Sequence, residues 1–518
     1  MRSAPLLGHD RHQVDTAGGK GLGGDHGPAH ESVAGRAPGV NRRSPRAAGS
    51  HRCVDVSRSG AIGAVVAAAA LPVAYLWGFT VDDALVSARM AHHLAVGVGY
   101  RFNVGGEIVD AVTPLGFAHL LAPFALGGIW QGWQAARVMG VAAWLGAAAW
   151  LGCRLHQVRG GASTWFGLLP LIFCSPVAAW ASAGMETGIV TALATVALGP
   201  GWALGAAGLA AAWRPELIPW AIVLGVGRAW AERRWPRALP QALLLTLGPA
   251  LVVAAVRQVC FGSPAPLAVL AKPSDLAHGG RYAAAAMIWT GMPALLAAPF
   301  VWRKAERWVR VGVAACLAHA GALVLAGGDW MALFRLAVPI LPGMVLLGAH
   351  LNRGAAIWAS AARALLATLP GVVLMFSVGP TARHVASHRR QLVADAAPLL
   401  RGAHRVAALD VGWVGVATGA SLVDLAGITD PSIAVLPGGH TSKRVSPDLL
   451  RVRDVDHVVL LLAPDAPVPQ QWAPAAFARA VEARVGREAF ARGFAVEGTV
   501  DLGGTSQRYL VVGLSRGE

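Results

Sequence analysis

Residues 61–83 read AIGAVVAAAALPVAYLWGFTVDD: twenty-one uncharged, mostly apolar residues, then two adjacent carboxylates, Asp82 and Asp83. An apolar run of about 20 residues is the length that crosses a bilayer as a helix. Ten similar runs follow, near 134–153, 161–181, 187–200, 201–213, 216–227, 238–256, 283–302, 309–326, 336–350 and 356–378. The whole chain of 518 residues is 55 % hydrophobic and 14 % charged, against about 25 % charged in an average soluble domain. That composition excludes a disordered chain, a coiled coil, a collagen and an ordinary soluble enzyme. The expectation is a polytopic α-helical membrane protein of about 11 transmembrane helices. Five scattered cysteines without a CxxC spacing give no disulfide framework and no thiolate metal site.

The formal charge of +16 comes almost wholly from Arg, and its placement reads as membrane topology rather than nucleic-acid binding. Residues 1–58, rich in Gly, His, Arg, Ser and Pro, read as disordered. With that segment in the cytoplasm, the parity of the chain hinges on 114–129, a short run broken by Pro114 and Pro123. Read as an interfacial helix that does not span, it leaves loops 154–159, 228–237 and 303–310 and Arg353 inside, which satisfies the positive-inside rule. Read as a span, it reverses the signs. In the non-spanning reading the outer side carries Asp82, Asp83, Glu107, Asp110, Glu186, Glu216, Asp275 and Asp329. Trp77, Trp130, Trp133, Trp180, Trp202, Trp213, Trp302, Trp308 and Trp330 fall near expected span ends, as an aromatic belt requires. The expected organisation is a membrane domain over 59–379 with an outer loop at 81–113, then a soluble extracytoplasmic α/β domain over 380–518. In that domain Val406–Leu409, Val458–Leu462 and Tyr509–Val512 read as strands and 473–489 as helical.

Charged residues at span ends, beside Gly and Pro, are the candidates for chemistry. Asp82 and Asp83 open an amphipathic stretch, Ala84 to Val96, expected to lie along the membrane. One carboxylate can cap that helix while the other serves as a general base. Asp82 is the expected base, with Arg89 close enough to keep it ionised. His92-His93 reads as a solvated interfacial pair, since adjacent helical residues point different ways. The Gly-rich loop 97–113, the sets Gly184-Met185-Glu186-Thr187, Arg214-Pro215-Glu216, Ala271-Lys272-Pro273 and Gly327-Gly328-Asp329-Trp330, and then Arg335, all fall on the outer side. Carboxylates with one Lys and two Arg on one side suit an anionic headgroup such as phosphate.

Taken in order, these motifs resemble the GT-C superfamily of polyprenyl-phosphate-sugar-dependent glycosyltransferases. The likeness is greatest to the branch of terminal β-arabinofuranosyltransferases of cell-wall arabinan synthesis. Asp410-Val411-Gly412-Trp413 and Val423–Pro431 are similar to that branch's outer domain. The resemblance implies a GT-C-like fold in the cytoplasmic (inner) membrane, with sugar transfer at its outer face from a lipid-phosphate donor to an envelope glycan, lipid or protein acceptor. It implies Asp82 and Asp83 as catalytic residues and Lys272, Arg214 and Arg335 as donor-phosphate contacts. It puts Arg89, Glu107, Asp110, Glu186, Glu216, Asp329 and Trp330 around the sugar and acceptor. Ala111-Val112-Thr113-Pro114 and Val269-Leu270-Ala271 depart from the aromatic residues common at these places in the family. No cofactor is called for; paired carboxylates leave a divalent metal open without indicating one. The competing readings are a secondary transporter, disfavoured because no halves repeat, and a catalytically inactive envelope-assembly protein.

Overall fold

A computed structural model describes residues 57–158, 161–201, 203–233 and 235–514. The expected disorder of the amino-terminal segment concerns residues almost wholly outside that set. Ser57 lies inside it: its hydroxyl accepts from the Gly60 amide and starts the first helix, Arg58–Tyr75. That helix and four more, Ile129–Gln157, Leu239–Phe261, Arg307–Leu325 and Ile357–Ser377, are long and apolar enough to cross a membrane. A sixth span forms if Leu276–Thr290 and Met292–Lys304, bent by 75° at Gly291, count as one. The chain is thus mostly helical with a small sheet, and its long apolar helices have the length and composition of membrane spans.

The other expected spans are helices of 8–14 residues, such as Ser175–Ser182, Thr187–Val196, Ala203–Trp213 and Ile218–Ala231. At 1.5 Å per residue they rise roughly 12–21 Å, short of the ~30 Å hydrocarbon core. Pro176, Pro200 and Pro215 stand at the breaks, where a ring without an N–H cannot continue a helical ladder. These breaks have a consequence for function, because Arg214 and Glu216 flank the one at Pro215, while Glu186 sits at a further break turned by Gly184 at φ +87°.

The 114–129 run holds a five-residue helix, Phe117–Leu121, and a single 3₁₀ turn, Ala122–Phe124. The helix that the acidic pair opens, Asp82–Ala95, is packed inside the protein. Nine of its fourteen residues are buried, Arg89 and His93 among them. It is clamped between the long helix Ile129–Gln157 on one side and the outer-domain helix Val411–Ala417 on the other. Its polar face meets protein. His92 and His93 accordingly pair through Nδ1 with the carbonyls of Ala125 and Arg101, both at 2.8 Å.

The carboxy-terminal domain, named the outer domain after its expected placement, holds a five-stranded sheet of order β2-β1-β3-β5-β4. The strands are β1 (Arg405–Ala408), β2 (Ser421–Asp424), β3 (His457–Leu461), β4 (Ala495–Asp501) and β5 (Arg508–Gly513). β1 pairs in parallel with β2 and β3, while β5 runs antiparallel to β3 and β4. The two-residue period of a strand sorts its side chains between two cores. Ala407, Val458, Leu460, Leu510 and Val512 pack on the helix Ala480–Ala491 through Val481, Val485 and Ala489. Val406, Ala408, Val459, Leu461 and Val511 join Trp413, Leu392 and Ala396 in a core continuous with the membrane domain. The outer domain therefore rests on the helices through the back of its own sheet.

Candidate functional site

Seven of the charged residues singled out in the sequence line one cavity of about 330 Å³: Asp83, Glu186, Arg214, Glu216, Lys272, Asp329 and Arg335. Each comes from a helix end or a turn. Asp83 is in the first turn of Asp82–Ala95. Glu186 immediately precedes the helix Thr187–Val196. Arg214 and Glu216 flank Pro215 at a single 3₁₀ turn. Lys272 ends the short helix Leu267–Ala271. Asp329 follows Gly327 and Gly328, whose φ of +79° and +73° suit glycine. Arg335 follows Leu333 and Phe334, both left-handed at φ +60° and +51°. Such strain persists where surroundings hold it, and here Trp180 Nε1 donates to the carbonyls of Ala332 and Leu333 at 3.2 Å.

The charges are distributed unevenly. Arg214 Nε lies 2.7 Å from Glu186 Oε1, its Nη1 lies 3.3 Å from Glu216 Oε1, and its Nη2 donates to Thr187 Oγ1 at 2.8 Å. Arg335 Nε lies 2.8 Å from Asp329 Oδ2, and its Nη1 is 3.4 Å from Asp83 Oδ2. Lys272 has no carboxylate within ion-pair distance among the described residues, and it is half-buried. Burial lowers its pKa; Asp83 and Asp329 pull it back up, and Arg335 and Arg214 add to the lowering. Burial alone would raise the Asp329 carboxyl, but Arg335, Lys272, the Met331 amide and Arg214 outweigh it and hold it below its ordinary range. Asp83 keeps 22 % side-chain exposure, so one side of it is open to whatever enters. Lys272 and Asp83 are the two charges here that neighbouring side chains leave least satisfied.

Five expected site residues stand elsewhere, and each has a physical reason. Asp82 turns the opposite way from Asp83: its carboxylate accepts from the amides of Gly412 at 2.7 Å and Trp413 at 2.9 Å, with Arg389 3.8 Å away. It caps the start of the outer-domain helix Val411–Ala417 rather than its own, whose first turn it occupies. Gly412 permits this approach, since a Cβ there would lie 2.2 Å from the Asp82 carbonyl oxygen. Burial lifts the Asp82 carboxyl to about 7, with Arg389 and the two amides opposing and Asp410 adding to the rise. The expected base is therefore a docking residue. Arg89 does not neutralise either carboxylate: it donates to the carbonyls of Phe102 and Gly415, lacing the outer loop to the outer domain. Asp110 is buried in an ion pair with Arg257 at 2.7 Å and ties that loop to the helix Leu239–Phe261. Glu107 is exposed in a separate polar cleft beside Arg405 and Arg453. Trp330 is half exposed and stacks on His440, ring centroids 5.3 Å apart.

His440 was not legible as a candidate. It stands alone in the loop Gly438-Gly439-His440, with no spacing to mark it. Folding brings it within electrostatic reach of Lys272, Asp83 and Asp329. Burial, reinforced by Lys272, pushes its pKa down to about 4, so it is neutral near pH 7, and its Nε2 is buried without a hydrogen-bond partner. Ile428, from the same domain, forms part of the cavity lining. The outer domain thus contributes directly to the cavity. Among the described residues no group of three or more His, Cys, Asp or Glu is arranged to hold a metal ion.

Comparison with known proteins finds no matching family model, no similar curated protein and no similar solved structure.

Proposed function

We propose that the chain is a lipid-phosphate-sugar-dependent glycosyltransferase of GT-C type, working at the outer face of the cytoplasmic membrane. In this reading the eleven apolar runs are membrane-embedded, several as broken helices, and the outer domain is extracytoplasmic. The observation that carries it is the convergence on one cavity of an accessible carboxylate, Asp83, and a cation lacking a carboxylate partner, Lys272. Around them Arg214 and Arg335 are already engaged with acids.

The chemistry that fits this pair is displacement at an anomeric carbon. The Asp83 carboxylate takes the proton of an acceptor hydroxyl while that oxygen attacks the carbon. The carbon–oxygen bond to the lipid phosphate breaks, and the phosphate leaves with the electron pair. Base assistance of this kind typically contributes about 10²–10⁴-fold. Lys272 meets the charge that builds on the leaving phosphate, and its own lowered pKa recovers as that anion arrives. A single displacement inverts the anomeric centre. Arg214 and Arg335, each held by two carboxylates, fix the shape of the sugar pocket.

The test is transfer by the purified full-length chain in lipid discs, using radiolabelled polyprenyl-phosphate arabinofuranose and, separately, a polyprenyl-phosphate hexose with a soluble oligosaccharide acceptor. Transfer of either sugar with inversion supports the proposal. Loss of labelled sugar from neither donor, together with uptake of a solute by proteoliposomes, would favour the transporter reading.

A further inference from the structure

A second cleft, of about 630 Å³, shares no lining residue with the cavity around Asp83. It lies where the first helix ends at Trp77-Gly78, where the long helix Ile129–Gln157 begins, and where the helix Val385–Leu399 crosses both. The crossing is tight: the Ala386 amide donates to the Gly78 carbonyl at 2.8 Å. Three arginines, Arg137, Arg383 and Arg390, point into the cleft.

None of the three has a carboxylate within ion-pair distance among the described residues. Arg137 is buried, donates to the carbonyls of Ser182 and Trp77 and to Gln134 Oε1, and stands over the Trp77 ring at 4.1 Å and the Trp133 ring at 4.5 Å. Arg390 is exposed and stacks over Trp130 and Trp133, both at 5.5 Å. Arg383 is exposed and stands over Tyr75 at 5.5 Å. Asp395, further along the Arg390 helix, accepts from Gln391 at 2.8 Å. Three positive charges held together by aromatic faces, without an acid, repel one another and wait for an anion. Guanidinium forks match phosphate oxygens in geometry. Arg137 spends its fork on Ser182, Gln134 and Trp77, and Arg383 Nε donates to His384 at 3.0 Å, so the exposed Arg390 and the Nη groups of Arg383 are the donors left for a ligand.

We propose that this cleft binds the phosphate of an anionic membrane phospholipid. The location selects a lipid over a soluble anion. The cleft opens at the ends of two helices that are each long and apolar enough to cross a membrane, at the level where Trp side chains favour the headgroup boundary. Trp77, 39 % exposed, offers an apolar face beside the charges for the start of an acyl chain. A lipid held here bridges the membrane helices to Val385–Leu399, the helix on which the outer domain sits. The proposal rests on membrane embedding and not on sugar transfer, so the two fail independently.

The experiment compares the full-length wild type with Arg383→Gln/Arg390→Gln and with Arg390→Lys. All are reconstituted in phosphatidylcholine discs and titrated with phosphatidylglycerol, with bound lipid counted by native mass spectrometry. The wild type should bind one more phosphatidylglycerol than the double variant, or bind it at least 10-fold more tightly. Arg390→Lys, which keeps the charge and loses the fork, should fall between them and keep the protein folded if the double variant does not. Inorganic phosphate at millimolar concentration should neither displace that lipid nor protect the protein from heating. Equal phosphatidylglycerol binding by wild type and both variants overturns the proposal. Equal protection by inorganic phosphate overturns it too, by making this a soluble-anion site.

Discussion

The cavity around Asp83 and the cleft around Arg390 each gather three cations beside tryptophan, and they treat those cations in opposite ways. In the cavity Arg335 lies over Trp180 but is also claimed by Asp329 and Asp83, and Arg214 by Glu186 and Glu216. In the cleft Arg137 and Arg390 have rings and no acids. Charges neutralised within the protein can shape a pocket for a substrate that comes and goes. Charges left uncompensated suit a resident anion. By the same contrast Lys272, which lacks a carboxylate partner inside the cavity, marks where the substrate's negative charge belongs.

The sharpest way to break the comparison is at the acidic pair. Asp83→Asn should reduce sugar transfer by about 10²-fold or more, while phosphatidylglycerol binding at the cleft stays as in the wild type. Asp82→Asn should leave turnover per folded molecule within a few-fold and lower the melting temperature. Purified, folded variants assayed for transfer and by thermal unfolding check both. The opposite assignment, activity lost in Asp82→Asn and kept in Asp83→Asn, would return the base to the docking residue.

Next in size is the buried pair Arg257–Asp110, whose side chains are 2 % and 4 % exposed. Removing one partner of such a pair typically costs about 3–5 kcal/mol, because the other is left as an uncompensated buried charge. Asp110→Asn should therefore unfold at markedly lower temperature, with its remaining folded fraction still active. A loss of turnover with unchanged stability would move Asp110 back to the sugar site.

Lys272→Met should raise the donor KM by roughly 10-fold, about the 1.4 kcal/mol of one weakened charge-assisted contact, with Lys272→Arg affected less. Because burial lowers the Lys272 pKa, its charge is lost earlier as pH rises, and donor binding should weaken on the alkaline side. Lys272→Arg should shift that limb to higher pH, since guanidinium keeps its proton. An unchanged KM in Lys272→Met would make Lys272 a surface charge.

The smallest effect concerns pH and docking. Asp82 holds its proton more tightly folded, near 7, than unfolded, near 3.8. Its contribution to stability is complete below the unfolded value and is lost as pH rises through about 7. Melting temperature should therefore decline between pH 5 and 8 more steeply in the wild type than in Asp82→Asn. Parallel profiles would remove Asp82 from that slope.

Much of this could be read from sequence. The apolar runs, the polar turn after residue 380 and the strands at Val406, Val458 and Tyr509 all follow from local composition and period, which need no partner to be seen. So does the set of charges at helix ends, seven of which meet in one cavity. The short strands β2 and β4 were missed because four residues at Ser421–Asp424 and a bulged stretch at Val496–Gly498 carry too little pattern. Hydropathy alone read 161–181 as one run, where the chain breaks between the helices Gly161–Ile172 and Ser175–Ser182.

What tertiary structure alone decided is direction. Neighbours on a helix point roughly 100° apart, so Asp82 and Asp83 had to face different surroundings, but no local rule says which. The outer domain decides it: the free amides of Gly412 and Trp413 claim Asp82 and leave Asp83 to the cavity. The same long-range packing sends Arg89 to two backbone carbonyls and brings Arg335, 252 residues away, to Asp83. A sequence specifies which charges exist and where along the chain they stand. Which of them end up paired depends on desolvation and on partners that only the folded chain supplies.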